Sequence, residues 1–195
     1  DYFGHADERL LPPSNLKFQT SRHAIGGVSA GDINGDGWDD LVFCGGGEVE
    51  LYLNQRDGSF RKATREWGLA DLRNATATLL ADFDNDGDAD LYVGVFFGRN
   101  RLYRNESDVL VEVTNDSGLF GDDMTSCLCA FDANGDGLLD LYVGRFLDSR
   151  EEVPRMIHYT RNGKPNRLYL GQGDLTFRDI SAASGADDSG LTLGI

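Results

Sequence analysis

The sequence is short of basic residues, and this shortage argues against two large classes of partner. Its 195 residues include 18 lysines and arginines against 33 aspartates and glutamates, which leaves a net charge of −15 at pH 7. Nucleic acids and anionic membranes both bind clusters of basic side chains, so neither is expected as a partner. The natural counter-partners are cations, although an acidic surface can also serve solubility alone.

Long apolar runs and a cysteine framework are missing as well. No stretch approaches the roughly 20 apolar residues that a membrane helix needs, so we expect no membrane insertion. There is no basic and apolar leader and no initiator methionine, which suggests a chain processed or cut from a longer protein. The three cysteines, Cys44, Cys127 and Cys129, form no disulfide pattern, and we interpret them as small buried hydrophobic residues.

Residues that commonly carry catalysis are also few. His5, His23 and His158 form no local catalytic pattern, and common nucleophile, zinc-protease and phosphate-loop motifs are absent. We therefore expect a protein that is not an enzyme and has no catalytic or cofactor-binding residues. The composition, 40% hydrophobic and 26% charged, is that of a globular protein with a substantial core.

What the sequence does have is an internal repeat of 50 residues. The segments GDINGDGWDDLVF, ADFDNDGDADLYV and FDANGDGLLDLYV begin at residues 31, 81 and 131. They are followed by VELYLN, NRLYRN or NRLYLG and then by FRKAT, LVEVT or FRDIS. Each unit contains four short runs rich in Leu, Val, Tyr and Phe and bounded by Gly, Asn and Asp, which is typical of strands. Four strands in a repeat of this length indicate a blade of a β-propeller.

The predicted fold is therefore all-β, a β-propeller of four-stranded antiparallel blades. We expect residues 1–15 to form an N-terminal extension and residues 16–195 a partial propeller, with repeats near 26–75, 76–125 and 126–190. The strand-like segment LKFQTS before the first repeat and GLTLGI after the third add two partial blades to about three complete ones. Such a segment cannot close a ring by itself, so we expect its open ends to be completed by the rest of a longer chain or by another chain.

Each acidic segment has the pattern of a cation-binding loop. Counted from its first aspartate, it places side-chain oxygens at positions 1, 3, 5 and 9 and a glycine, which allows a sharp turn, at position 6. Position 7 then points its backbone carbonyl inward, and the aspartate at position 9 closes the shell with two oxygens. These hard oxygen ligands fit Ca²⁺ better than Zn²⁺, Cu²⁺ or Mg²⁺. The predicted ligands of about three Ca²⁺ sites are Asp32, Asn34, Asp36, Trp38 and Asp40; Asp82, Asp84, Asp86, Asp88 and Asp90; and Asp132, Asn134, Asp136, Leu138 and Asp140.

Two other interpretations fit these loops less well. An ordinary turn rich in Asp, Asn and Gly is the simplest, but three copies in one register favour a cation that relieves the repulsion among the carboxylates. An EF-hand is excluded because its glutamate at position 12 is replaced by Phe43, Val93 or Val143. The middle loop carries four carboxylates at side-chain ligand positions where the others carry three, so we expect it to bind Ca²⁺ most tightly.

The loop motif, the DLYVG that follows it and the NxLYxN segment resemble the FG-GAP/VCBS-type repeat, which builds the calcium-binding blades of integrin α-subunits. The closer match is to acidic proteins of the ASPIC/cartilage-acidic-protein type. The resemblance covers about residues 16–195. It implies that the chain is part of a seven- or eight-bladed propeller with Ca²⁺ in the loops between the first and second strands of each blade. It also implies secretion or surface display, including the bacterial periplasm or cell surface.

The predicted function is a calcium-stabilised extracellular module for adhesion to, or binding of, protein or carbohydrate ligands. The alternative is the scaffold domain of a polysaccharide-acting enzyme of the lyase type. The insertion at residues 145–165 of the third repeat is either a partner-binding loop or a tolerated surface insertion. Asn74, Asn105 and Asn115 begin N-x-[ST] sequons, which would carry glycans in a secreted eukaryotic protein.

Overall fold

Three four-stranded antiparallel sheets follow one another along the chain. The computed structural model describes residues 26–45, 48–69, 72–96, 98–119, 122–146, 163–190 and 192. Blade 1 consists of β1 (Gly27–Gly31), β2 (Asp40–Gly45), β3 (Glu48–Asn54) and β4 (Phe60–Lys62). Blade 2 consists of β5 (Ala75–Ala81), β6 (Asp90–Val95), β8 (Arg101–Asn105) and β9 (Leu110–Glu112), with the two-residue strand β7 (Gly98–Arg99) outside its sheet. Blade 3 consists of β11 (Thr125–Phe131), β12 (Asp140–Arg145), β13 (Arg167–Gly171) and β14 (Phe177–Asp179).

In each sheet the strands pair in chain order, so every blade is a simple up-and-down meander. The predicted all-β fold of four-stranded blades is confirmed. Two small elements were not expected from the sequence: β10 (Asp122–Asp123), which pairs with β7, and the single helical turn α1 (Ser181–Ser184). The described residues contain no helix with the length and apolarity that a bilayer crossing requires.

The hydrophobic core lies between the blades. One cluster joins blades 1 and 2 and includes Leu51, Trp67 and Val93, each at most 1% exposed. A second cluster joins blades 2 and 3, where the Phe83 ring meets the Phe177 ring edge-on at 5.6 Å. Buried and more exposed residues alternate along β3, because successive side chains point to opposite sides of a sheet, whereas all six residues of β6 in the middle blade are buried.

The first strands of the three blades lie side by side. The Ser29 hydroxyl in β1 hydrogen-bonds the Thr78 hydroxyl in β5 at 2.9 Å, and the Thr76 hydroxyl donates to the Thr125 carbonyl in β11 at 2.6 Å. This arrangement carries the acidic segments to one end of neighbouring blades. There Asn85 Nδ2 donates across to the Gly137 carbonyl at 3.3 Å.

The outer face of blade 1 is not covered by any described residue. Phe43 and Phe60 are 39% and 42% exposed. Their equivalents by strand register are Val93 and Leu110 in blade 2, which are 0% and 4% exposed. Blade 1 buries those two residues, whereas Phe43 and Phe60 have no such neighbour among the described residues.

Several predictions fall on residues outside those described. They are residues 1–15, the segment LKFQTS, residues 147–162 of the insertion, and the histidines His5, His23 and His158. Of the segment GLTLGI only Gly190 and Thr192 are described. Thr192 accepts a hydrogen bond from the Ser126 hydroxyl, as Thr125 does from Thr76.

The cysteines are free, and the interpretation of all three as buried holds for one of them. Cys44 in β2 is 2% exposed, whereas Cys127 and Cys129 in β11 are half-buried.

Candidate metal centres

The three acidic segments form equivalent loops, each joining the first strand of a blade to the second. Loop 1 is residues 32–40, loop 2 is residues 82–90 and loop 3 is residues 132–140; their ninth residues begin β2, β6 and β12. The glycines at position 6 have φ values of 85°, 96° and 85°. Such values are strained for residues with a side chain, so the predicted role of glycine in the turn is confirmed.

A second left-handed residue in each loop was not predicted. Position 4 is occupied by Gly35, Asn85 and Gly135, with φ values of 68°, 60° and 78°. Glycine and asparagine are the residues that adopt this conformation most readily. Their recurrence at one position of all three copies is the sequence signal that could have identified it.

The aspartate at position 1 organises the interior of each loop. Asp32 accepts the backbone N–H groups of Asp36 at 2.9 Å and Gly37 at 2.6 Å. Asp82 in loop 2 and Asp132 in loop 3 make the equivalent pair of bonds, at 3.0 to 3.2 Å. The hydrogen bond from Gly137, with those from other loop amides, lowers the pKa of Asp132. These hydrogen bonds hold the first carboxylate against the backbone at positions 5 and 6 of each loop.

The aspartate at position 9 has a structural task that the sequence did not reveal. Asp40, Asp90 and Asp140 are at most 1% exposed. In loop 2, Asp90 Oδ2 accepts the Phe83 N–H at 3.1 Å and Oδ1 accepts the Asn105 N–H at 3.0 Å. Asp40 and Asp140 make the same pair of bonds, which ties each loop to the third strand of its blade. A carboxylate oxygen has a second lone pair, so the role of position 9 as a metal ligand stays a prediction.

The middle loop concentrates the most negative charge. Among the described residues, one group of acidic side chains could hold a metal ion: Asp82, Asp84 and Asp86 place one oxygen each within 4.8 Å of one another. Asp84 Oδ1 is buried and has no hydrogen-bond partner. Burial raises the pKa of Asp84, and the charge of Asp86 raises it further. Burial also raises the pKa of Asp90 to about 7, against the lowering effect of its backbone hydrogen bonds.

The outer loops hold less uncompensated charge. Position 3 is asparagine in both, and in loop 1 Asp36 forms an ion pair with Arg56 at 3.1 Å. Burial acts to raise the pKa of Asp36, but the hydrogen bonds from Arg56 and the Trp38 N–H outweigh it and lower that pKa. In loop 3 the Asn134 amide donates to Asp136 at 2.8 Å. The structure therefore distinguishes the middle loop from its neighbours, as the count of carboxylates suggested.

Position 7, assigned a carbonyl ligand, differs in side chain between the loops. Trp38 in loop 1 is 48% exposed, while Asp88 and Leu138 are half-buried. Asp39 at position 8 is exposed, and its carbonyl accepts the Asn54 amide at 3.0 Å. The ligand roles of these carbonyls stay predictions.

A comparison with protein families identifies the repeat. The FG-GAP-like repeat matches residues 32–93 and again residues 82–143, two matches offset by 50 residues (82 minus 32). The chain belongs to the FG-GAP-like repeat family. Both matches begin at the first aspartate of an acidic loop and end at the fourth residue of the strand that follows the next loop. The closer resemblance to ASPIC-type proteins stays a prediction.

Other comparisons add a structural likeness and no curated relative. A lectin of Agrocybe aegerita, described as recognising non-reducing terminal N-acetylglucosamine, is 17% identical and superposes with a TM-score of 0.44. The match covers 80% of this chain and 38% of the lectin, so this chain spans well under half of that protein's length. A search of curated proteins found no match.

Proposed function

We propose that this FG-GAP-like repeat chain is a calcium-stabilised extracellular β-propeller module that binds protein or carbohydrate ligands. The observation that carries the proposal is the middle loop, where Asp82, Asp84 and Asp86 converge within 4.8 Å. Two equivalent loops of the same shape flank it, so we expect about three cation sites along one edge of the blades.

The donor set of loop 2 fits a hard divalent cation. Oxygen ligands such as carboxylates are those that Ca²⁺ prefers, and Ca²⁺ accepts irregular coordination geometry. Asp84 Oδ1 is buried without a hydrogen-bond partner, which costs free energy unless a cation or water satisfies it. A bound Ca²⁺ would neutralise the charge gathered there.

In each loop the residues at positions 1, 3 and 5 would hold the cation, with the position 7 carbonyl and the position 9 carboxylate. Hydrogen bonds from backbone N–H groups to the carboxylates at positions 1 and 9 hold these residues in place. The left-handed residues at positions 4 and 6 curl the chain so that alternate side chains face inward. Exposed sites of this kind suit the millimolar calcium found outside cells, which supports an extracellular or periplasmic location.

An exposed aromatic side chain supports the proposal of ligand binding. Trp38 is 48% exposed in loop 1. Arg56, in the turn between β3 and β4, has a side chain that is 56% exposed and pairs with Asp36 of loop 1. An exposed indole face can stack on a sugar ring or pack against a protein side chain. The exposed Trp38 surface is therefore a candidate ligand contact, in addition to the insertion at residues 145–165.

Thermal melting with Ca²⁺ and with a chelator tests the metal-binding part of the proposal. We expect Ca²⁺ to raise the Tm of the parent protein and to have little effect when Asp36, Asp86 and Asp136 are all replaced by alanine. The matched control is Asp39→Asn, an exposed acidic residue of loop 1 at a position without a ligand role, which should keep the full shift. An unchanged Tm of the parent on adding Ca²⁺ would contradict the metal-binding proposal.

Screening glycans and matrix proteins tests the ligand-binding part. We expect a bound ligand whose affinity falls in Trp38→Ala while the Tm stays within about 1 °C, because an exposed side chain adds little to stability. Turnover of a polysaccharide in the same screen would instead favour the enzyme-scaffold alternative.

A further inference from the structure

Asn105 connects two acidic loops that belong to different blades. It ends β8 in blade 2 and is 4% exposed. Its Nδ2 group donates to the Ile33 carbonyl in loop 1 at 2.7 Å and to the Ala89 carbonyl in loop 2 at 3.1 Å. Both acceptors are carbonyls, so the amide must present its nitrogen to them, which fixes its orientation. Its backbone N–H donates to Asp90 at 3.0 Å.

Ile33 is the residue between two predicted ligands of loop 1, Asp32 and Asn34. Its N–H donates to Asp40 Oδ2 at 3.2 Å, and its carbonyl receives the Asn105 amide. The peptides on both sides of Ile33 are therefore held in place, one from its own blade and one from the next. Fixing these peptides also fixes the directions in which Asp32 and Asn34 leave the backbone.

A continuous set of buried hydrogen bonds results. It runs from the Asp40 carboxylate through Ile33 and the Asn105 amide to the Asp90 carboxylate, and all four residues are at most 4% exposed. Buried hydrogen bonds are costly to leave unmade, because water does not replace the lost partner. Loop 1 is thus built partly by blade 2.

The other blades do not repeat this contact within the described residues. Asn54, the equivalent residue of blade 1, donates its amide to the Asp39 carbonyl of its own loop at 3.0 Å. In blade 3 the equivalent position is Gly171, which has no side chain to reach loop 2, although its N–H still donates to Asp140 at 2.9 Å. Among the described residues, such a side-chain bridge joins only loops 1 and 2.

We propose that Asn105 is a positioning residue for the cation site of loop 1, acting from the neighbouring blade by holding the Ile33 carbonyl. The inference rests on the proposed function, because it assumes that loop 1 binds a cation. Residues that orient metal ligands from outside the coordination shell typically change affinity 10- to 100-fold when replaced. We expect an effect of that size in loop 1, and none in loop 3, which has no contact with Asn105.

Single-site backgrounds make the proposal testable with Ca²⁺ itself. Asp86→Ala with Asp136→Ala leaves only loop 1 intact, and Asp36→Ala with Asp86→Ala leaves only loop 3. Asn105→Gly, the residue that blade 3 carries naturally, is added to each background, and Ca²⁺ is titrated by calorimetry. We expect loop 1 to lose 10- to 100-fold in affinity and loop 3 to stay within twofold. Equal affinity of loop 1 with and without Asn105→Gly overturns the proposal.

Hydrogen exchange of the calcium-free parent gives a second measurement that needs no metal. Asn105→Gly should speed exchange of the loop 1 amides and leave the loop 3 amides unchanged, whereas Asn115→Gly, an exposed asparagine of the same blade, should change neither loop. A residue that only stabilised blade 2 would speed both loops through lower global stability, and that outcome refutes a positioning role. If the parent binds no Ca²⁺, the proposed function fails, and hydrogen exchange still decides whether Asn105 holds loop 1.

Discussion

Replacing Asp90 or Asp86 by alanine should separate the structural task of loop 2 from its metal-binding task. Asp90 is 1% exposed and accepts the Phe83 and Asn105 N–H groups at 3.1 and 3.0 Å. Asp86 is exposed and accepts the N–H of Asp88 at 2.9 Å. Both are predicted ligands, so both variants should lose Ca²⁺ from loop 2. Only Asp90→Ala should also damage the fold without Ca²⁺.

The expected losses in free energy of unfolding follow from the hydrogen bonds that each substitution removes. Asp90→Ala leaves two buried N–H groups without an acceptor, and each costs about 1 to 3 kcal/mol, or about 2 to 6 kcal/mol together. Asp86→Ala leaves one exposed N–H that water can satisfy, so its effect without Ca²⁺ should stay within about 0.5 kcal/mol. A domain of this type is stable by about 5 to 15 kcal/mol, so the first loss is a large fraction of the total.

Urea unfolding followed by tryptophan fluorescence measures both effects. Trp67 is 1% exposed in the core between blades 1 and 2, so its emission should report unfolding of that core. In chelator, Asp90→Ala should shift the midpoint strongly and Asp86→Ala barely; Ca²⁺ at 100 times its Kd should add about 2.7 kcal/mol per site in the parent. Similar losses for both variants in chelator, or a loss below about 1 kcal/mol for Asp90→Ala, would refute the structural role of position 9.

Three further predictions concern affinity, modification and pH. Alanine at position 5 should weaken Ca²⁺ binding most in the middle loop, which calorimetry can test with Asp36→Ala, Asp86→Ala and Asp136→Ala. Equal losses of affinity in the three variants would contradict the prediction that the middle loop binds Ca²⁺ most tightly. If the chain is made in a eukaryotic secretory host, peptide mapping should find Asn115 glycosylated and Asn105 unmodified, because Asn115 is exposed and the Asn105 amide donates two internal hydrogen bonds. Burial acts to raise the pKa of Asp179, but hydrogen bonds from Ser181 and Arg167 outweigh it and lower that pKa in the folded state. The contribution of Asp179 to the free energy of unfolding is therefore present above about pH 4 and lost as the pH falls further. Asp179→Asn should flatten the acid side of a plot of unfolding free energy against pH, and an unchanged acid side would contradict this.

Most of the local structure of this FG-GAP-like repeat chain could be predicted from the sequence. The strands follow from short runs rich in Leu, Val, Tyr and Phe, and the loops follow from Gly, Asn and Asp, whose conformational preferences act within a few residues. The glycines at position 6 and the convergence of Asp82, Asp84 and Asp86 were predicted from one loop pattern. Among the unexpected features of the site, the left-handed residues at position 4 are local, whereas the Asn105 bridge depends on a partner that lies far away along the chain.

The sequence by itself determined the repeat, the four-stranded blade and the chemistry of the acidic loops, because each is written in residues close together along the chain. Only the tertiary structure decided which equivalent positions are buried and which are exposed. Phe43 is exposed where Val93 is buried, since a blade covers one and no described residue covers the other. In the same way, the Asn105 amide reaches the Ile33 carbonyl across 72 positions of sequence. Its role was fixed when two blades packed together, and no local pattern could have encoded that contact.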